Sequence, residues 1–107
     1  MTTTGPDAAL PIMTVLEAHV PPERWAELVA AYDRGAGQLP PQMLRTLLVQ
    51  GEADRTLWRG ISIWRSRAAL EEYRRSVTTP GGIAMFRAVG AEPVLSIWSV
   101  ATSAPAA

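Results

Sequence analysis

The sequence predicts an α+β fold built on a four-stranded antiparallel sheet, and three observations lead there. Apolar, β-branched stretches alternate with helical ones in the order β-α-β-β-α-β. The two middle strands follow one another across a short turn and so pair as a hairpin, whereas each outer strand connects through a helix. The helical stretches are apolar on one side only, so they need a sheet face to bury against. Together these make the ferredoxin-like split βαβ arrangement. A chain of 107 residues is long enough for one such domain and too short for two.

The first strand is Ile12 to Val20, rich in apolar and β-branched residues. Pro21-Pro22-Glu23 ends it and opens a helix, because proline and an acidic residue suit a helix's first turn. Trp25, Leu28, Val29 and Tyr32 recur at helical spacing as the apolar stripe. Gly35 and Gly37 stop this helix, and Pro40-Pro41 blocks its continuation. The second strand runs from Met43 to Gln50. Gly51-Glu52-Ala53-Asp54-Arg55 then turns the chain, and Trp58 to Trp64 returns antiparallel.

Ser66 suits the N-cap of the next helix, whose inward face is Leu70, Tyr73 and Val77. Thr79-Pro80-Gly81-Gly82 interrupts it, and a short helical piece, Ile83 to Val89, ends at Gly90. The last strand is Val94 to Val100. The expected domain is therefore 11–101, with flexible tails at 1–10 and 102–107.

The third strand says where a site belongs. Side chains alternate along a strand, so Trp58, Gly60, Ser62 and Trp64 share one face. Two indoles flank two very small residues and leave a gap, which either a facing element or a ligand must close. Thr46-Leu47-Leu48-Val49 and Val94-Leu95-Ser96-Ile97-Trp98 offer apolar groups to both faces of the sheet. Two helices cover only one face. A second copy of the sheet is the simplest cover for the other, so a homodimer is expected.

Composition removes several classes of function. Ten acidic residues balance ten basic ones, which leaves no field to attract nucleic acid or an anionic membrane. All ten basic residues are Arg, and without Lys there is no Schiff-base chemistry. The absence of Cys removes disulfides, thiol nucleophiles and zinc–thiolate sites, and one His makes no metal cluster. No nucleotide-binding glycine motif occurs at Gly35 or Gly81. Met1 to Asp7 lacks a signal-peptide pattern, and no apolar run approaches the roughly 18 residues of a membrane span. A cytoplasmic location is expected.

The stretch Ile61-Ser62-Ile63-Trp64-Arg65-Ser66-Arg67-Ala68-Ala69-Leu70-Glu71-Glu72-Tyr73 resembles the antibiotic biosynthesis monooxygenase family of dimeric α/β barrels. It matches that family's strand ending in Trp, followed by a capping Ser and a helix. Phe86-Arg87-Ala88-Val89-Gly90-Ala91-Glu92-Pro93 resembles the family's approach to its last strand. The resemblance implies oxidation of a small aromatic or polyketide-type phenol by O₂, with no cofactor, in a pocket between helices and sheet. It places Trp64 in that pocket. The family's Asn a few residues before the Trp is missing, since this chain contains no Asn. The haem-degrading branch of the superfamily uses a His on the second helix, and residues 66 to 90 contain none.

The candidate catalytic residues are Trp64, His19 and Tyr73. Histidine is the one residue type whose unperturbed pKa lies near neutrality, and on its strand His19 shares a face with Glu17. The candidate substrate contacts are Trp58, Gly60, Ser62, Tyr32, Met85, Phe86 and Arg45. Arg45 either clamps an anionic oxygen or pairs with a carboxylate across the dimer. Trp98 is expected in the core. Two rivals share the fold: a polyketide-cyclase-like enzyme using His19 for aldol chemistry, and a small-molecule-binding protein without turnover.

Overall fold

The computed structural model describes residues 10–104. The expected tails fall mostly on residues 1–9 and 105–107, which lie outside the described residues. Four strands, β1 (Ile12–His19), β2 (Met43–Gln50), β3 (Leu57–Trp64) and β4 (Val94–Ser99), form one antiparallel sheet in the order β2-β3-β1-β4. Three helices, α1 (Trp25–Ala36), α2 (Arg67–Ser76) and α3 (Gly81–Ala88), complete the ferredoxin-like order. No helix among the described residues is long and apolar enough to cross a membrane.

Each boundary has a local cause. Pro22–Arg24 is a 3₁₀ turn leading into α1, because proline sets φ but supplies no N–H. Ser66 caps α2, its hydroxyl accepting the Ala69 N–H at 3.0 Å. At the end of α3, Gly90 takes φ +80°, the Gly90 N–H reaches Arg87 O at 3.0 Å and the Ala91 N–H reaches Phe86 O at 3.0 Å. That pair of bonds is a Schellman ending, which buries Phe86 and Ala91 together.

Helix α3 starts two residues earlier than the sequence suggests. Gly81 and Gly82 read as breakers, yet they form its first turn behind Pro80. Close approach is the reason: a Cβ on Gly82 would lie 2.7 Å from Leu16 Cδ1 on β1. In α1 the stripe holds at Leu28, which is fully buried, but Val29 faces outward at 40 % exposure.

The helices cover one sheet face at its two ends. At one end Ala18, Val20, Leu28, Trp58, Phe86 and Val89 form the larger core cluster. The Trp25 ring meets Trp58 edge-on at 6.0 Å, and its indole N–H donates to Val20 O at 2.8 Å. At the other end Ile12, Trp64 and Leu70 form a smaller cluster, with Met43 and Tyr73 against it. Among the described residues the other sheet face carries no helix.

That bare face is apolar. Val94 is 70 % exposed and Trp98 55 %. Met13, Val15, Ile61 and Ile63 share the face by register and are half-buried. Trp98, expected in the core, pairs in register with Met13 and so points away from the helices. Glu17 and Arg59, directly opposite one another there, form an ion pair at 2.7 Å.

Candidate functional site: a cleft between helices and sheet

Between the two core clusters the helix-side face is left open. The floor comes from the middle of the sheet: Thr14 and Leu16 of β1, Thr46 of β2, Gly60 and Ser62 of β3. A main lobe of about 260 Å³ lies toward α1 and α3, and a lobe of about 70 Å³ lies toward Trp64 and Leu70. Leu16, Met43, Ser62, Tyr73 and Gly82 line both lobes, which makes them one cleft. Its size sits near the lower end of ligand pockets, which start at about 300 Å³.

The row Trp58–Gly60–Ser62–Trp64 accounts for the opening. Trp58 belongs to the larger cluster and Trp64 to the smaller, so the small residues between them floor the gap. Part of it is closed by protein. A Cβ on Gly60 would lie 3.4 Å from Phe86 Cε2 and 3.9 Å from Met85 Cε, so α3 packs onto Gly60. Over Ser62 the cleft stays open.

Polar groups in the cleft are few and held in place. The Trp64 indole N–H donates to Thr14 Oγ1 at 3.0 Å, a bond buried from solvent. The Thr46 hydroxyl donates to Ile61 O at 3.1 Å. On the opposite wall, Tyr73 Oη accepts the Gly81 N–H at 3.0 Å, which leaves the phenolic proton free for a ligand. The Tyr73 ring also leans on Trp64, with centroids 4.9 Å apart and planes at 40°. Among the described residues, Tyr32, Tyr73 and Arg74 are the titratable ones in the lining, which contains neither carboxylate nor imidazole.

The structure brings together Trp64, Tyr73, Gly60, Ser62, Tyr32 and Met85 among the expected site residues. It leaves four out of the lining. His19 is 66 % exposed at the end of β1, on the face away from the cleft. Its Nδ1 lies 3.0 Å from Thr56 Oγ1 and 3.6 Å from Asp54, not beside Glu17, which pairs with Arg59. Arg45 is exposed on that same far face, in register with Ile63. Trp58 and Phe86 are buried in the larger cluster, and Trp58 Nε1 has no hydrogen-bond partner among the described residues.

Sequence reasoning missed Thr14 and Thr46. Each is in register with Ser62, one on either side, so three hydroxyl residues cross three strands in a row. A lone threonine at a helix-facing position of each strand was the available signal, but it means nothing until the register is known.

Resolved perturbations of ionisable groups occur away from the cleft, on exposed pairs. Hydrogen bonds from the Thr56 hydroxyl and N–H hold the Asp54 carboxyl below the usual carboxylate range. The Arg24 guanidinium does the same for Glu27, and Arg87 for Glu92. Arg24 also donates to Ala88 O at 3.0 Å, which ties the start of α1 to the end of α3.

Solved structures of other proteins share this architecture. SnoaB, a cofactor-independent oxygenase from Streptomyces nogalater studied in a substituted form, matches with TM-score 0.69 and 19 % identity over 92 % of this chain and 100 % of its own. A candidate antibiotic biosynthesis monooxygenase from Caulobacter crescentus matches with TM-score 0.68 and 19 % identity, over 88 % and 92 %. A haem-degrading protein from Mycobacterium tuberculosis, in its haem-free form, matches with TM-score 0.71 and 16 % identity, over 92 % and 99 %. The chain has the fold of these proteins. No protein-family model and no curated protein matches the sequence.

Proposed function

We propose that this chain is a monooxygenase-like protein of the antibiotic biosynthesis monooxygenase type, which oxidises a small phenolic or polyketide-type aromatic in the cleft without a cofactor. One observation carries the reading. The cleft is apolar, has an aromatic wall in Trp64 and Tyr73, and offers neutral hydroxyl donors where an oxygenated ring would lie. The fold shared with a cofactor-independent oxygenase supports it.

For an anthrone-like substrate the ring system supplies the electrons. The CH₂ between the rings gives up a proton to solvent hydroxide, which leaves an enolate. Tyr73 donates its hydroxyl proton in a hydrogen bond to the enolate oxygen, where negative charge develops. The enolate passes one electron to O₂, and the carbon radical and superoxide combine and take up a proton to form a hydroperoxide. Loss of water then leaves a carbonyl. The balance is one CH₂ and one O₂ consumed for one C=O and one H₂O. Side chains of the cleft bind and orient the rings and exclude water.

The cyclase rival loses support, because His19 lies on the far sheet face. A binder without turnover keeps one observation in its favour: among the described residues the lining offers no carboxylate or imidazole as a base. Oxygen uptake with anthrones and dihydroxynaphthalenes separates these readings. Uptake above the spontaneous rate that falls in Trp64→Phe and not in His19→Ala supports the oxygenase. Binding of the same compounds without uptake leaves the binder.

The same reading makes the protein a cytoplasmic homodimer closed through its bare sheet face. Support comes from the exposure of Val94, Trp98 and Val49 on that face. Sedimentation at micromolar concentration tests it, and a monomer refutes it.

A further inference from the structure

We propose that Ser62 is the group that binds a ligand oxygen on the cleft floor, and that Trp64 acts on it through Thr14 and not through contact of its own N–H with the ligand. This rests on the proposal that the cleft holds an oxygenated aromatic, and it adds which residues read the oxygen.

The hydrogen bonds on the floor have a direction. Trp64 Nε1 donates to Thr14 Oγ1 at 3.0 Å, so the indole N–H is spent inside the protein. Thr14, only 9 % exposed, has a lone pair occupied by that bond and keeps its own proton to give. Thr46 has given its proton to Ile61 O and keeps lone pairs to accept with. Ser62 stands between them in register with both, on the central β3 strand, where directly opposed Cβ atoms lie about 4.5–5.5 Å apart. Among the described residues Ser62 makes no side-chain hydrogen bond, and it lines both lobes.

A donor at one side, an acceptor at the other and an unbonded hydroxyl in the centre suit one uncharged or partly charged oxygen lying over Ser62. With a ligand bound, Ser62 would donate to that oxygen and turn to accept from the Thr14 hydroxyl opposite it in register. Trp64 fixes the direction of the Thr14 hydroxyl, which makes Trp64 a positioning residue for this contact although its ring walls the cleft. Tyr73, across the cleft, is left to meet a second oxygen on the same ring system.

Calorimetric titration with 1-naphthol and with 1-methylnaphthalene, under nitrogen, tests this without any oxygen chemistry. The two probes have nearly the same shape and differ in the oxygen. In Ser62→Ala, 1-naphthol is expected to bind about three- to tenfold more weakly, the size of one hydrogen bond, with 1-methylnaphthalene unchanged. Thr14→Val is expected to show the same selective loss, and Thr14→Ser to restore it. Trp64→Phe in the Thr14→Val background is expected to add no further selectivity against 1-naphthol. Equal weakening of both probes in Ser62→Ala, or no weakening of either, overturns the assignment of Ser62. Failure of wild type to bind either probe overturns the aromatic-cleft reading and this one with it. An absence of oxygen uptake alongside the expected selectivity overturns only the oxygenase.

Discussion

The two helix-side tryptophans of β3 are expected to respond unequally to the same substitution. Both are buried, Trp58 at 6 % exposure and Trp64 at 4 %, so replacing either by Phe removes a similar volume and leaves a similar cavity. Their N–H groups differ. Trp64 Nε1 is bonded to Thr14 at 3.0 Å, and losing that bond costs about 1 kcal/mol. Trp58 Nε1 is buried without a partner among the described residues, so its removal recovers a desolvation cost of about 1–3 kcal/mol. Trp58→Phe is therefore expected to be more stable than Trp64→Phe by about 2 kcal/mol or more. For a domain of this size that is a separation in Tm of about 8–16 °C. Thermal melts followed by far-UV circular dichroism, at one protein concentration, read it directly. Equal melting points, or a Trp58→Phe that melts lower, would refute the assignment of a satisfied and an unsatisfied indole.

The remaining predictions concern caps, acid sensitivity and the bare face. Gly90→Ala forces a Cβ onto a residue at φ +80° and is expected to cost about 1–2 kcal/mol in a denaturant titration. Ser66→Ala removes the acceptor for Ala69 N–H and is expected to cost about 1 kcal/mol, with Ser66→Asp close to wild type. Asp54, Glu27 and Glu92 all have folded-state pKa values below the usual range. The stability they contribute is present above about pH 4 and is lost as pH falls through those lowered values, so Asp54→Asn is expected to flatten the acid limb of a stability–pH curve. Trp98→Asp, on the bare sheet face at 55 % exposure, is expected to shift the proposed dimer to monomer in sedimentation while leaving the fold intact.

Much of the scaffold was legible because its punctuation is strong. Pro40-Pro41 and the Gly51–Arg55 turn bracket β2, and the observed Met43–Gln50 strand has the expected limits. Ser66 announced α2 through a hydroxyl that accepts a backbone N–H. The gap between Trp58 and Trp64 was legible too, since alternation alone places two small residues between two large ones. What failed depended on distant partners. Gly81-Gly82 looked like a break because glycine disfavours helices, whereas here the missing side chain admits Leu16. Alternation puts Trp98 and His19 on a face but does not say which face the helices choose. Thr14 became part of the site only through its register with Ser62 and its bond to Trp64.

The central claim is that ligand enters the cleft between helices and sheet, and methionine methyl groups report on it directly. Met43 and Met85 line the cleft, whereas Met13 lies on the bare face of the same sheet. Titration of ¹³C-methyl-labelled protein with 1,8-dihydroxyanthrone under nitrogen is expected to move the Met43 and Met85 resonances, with Met13 unmoved. Movement of Met13 with Met43 and Met85 fixed would place the ligand on the wrong side of the sheet and contradict the cleft as the site.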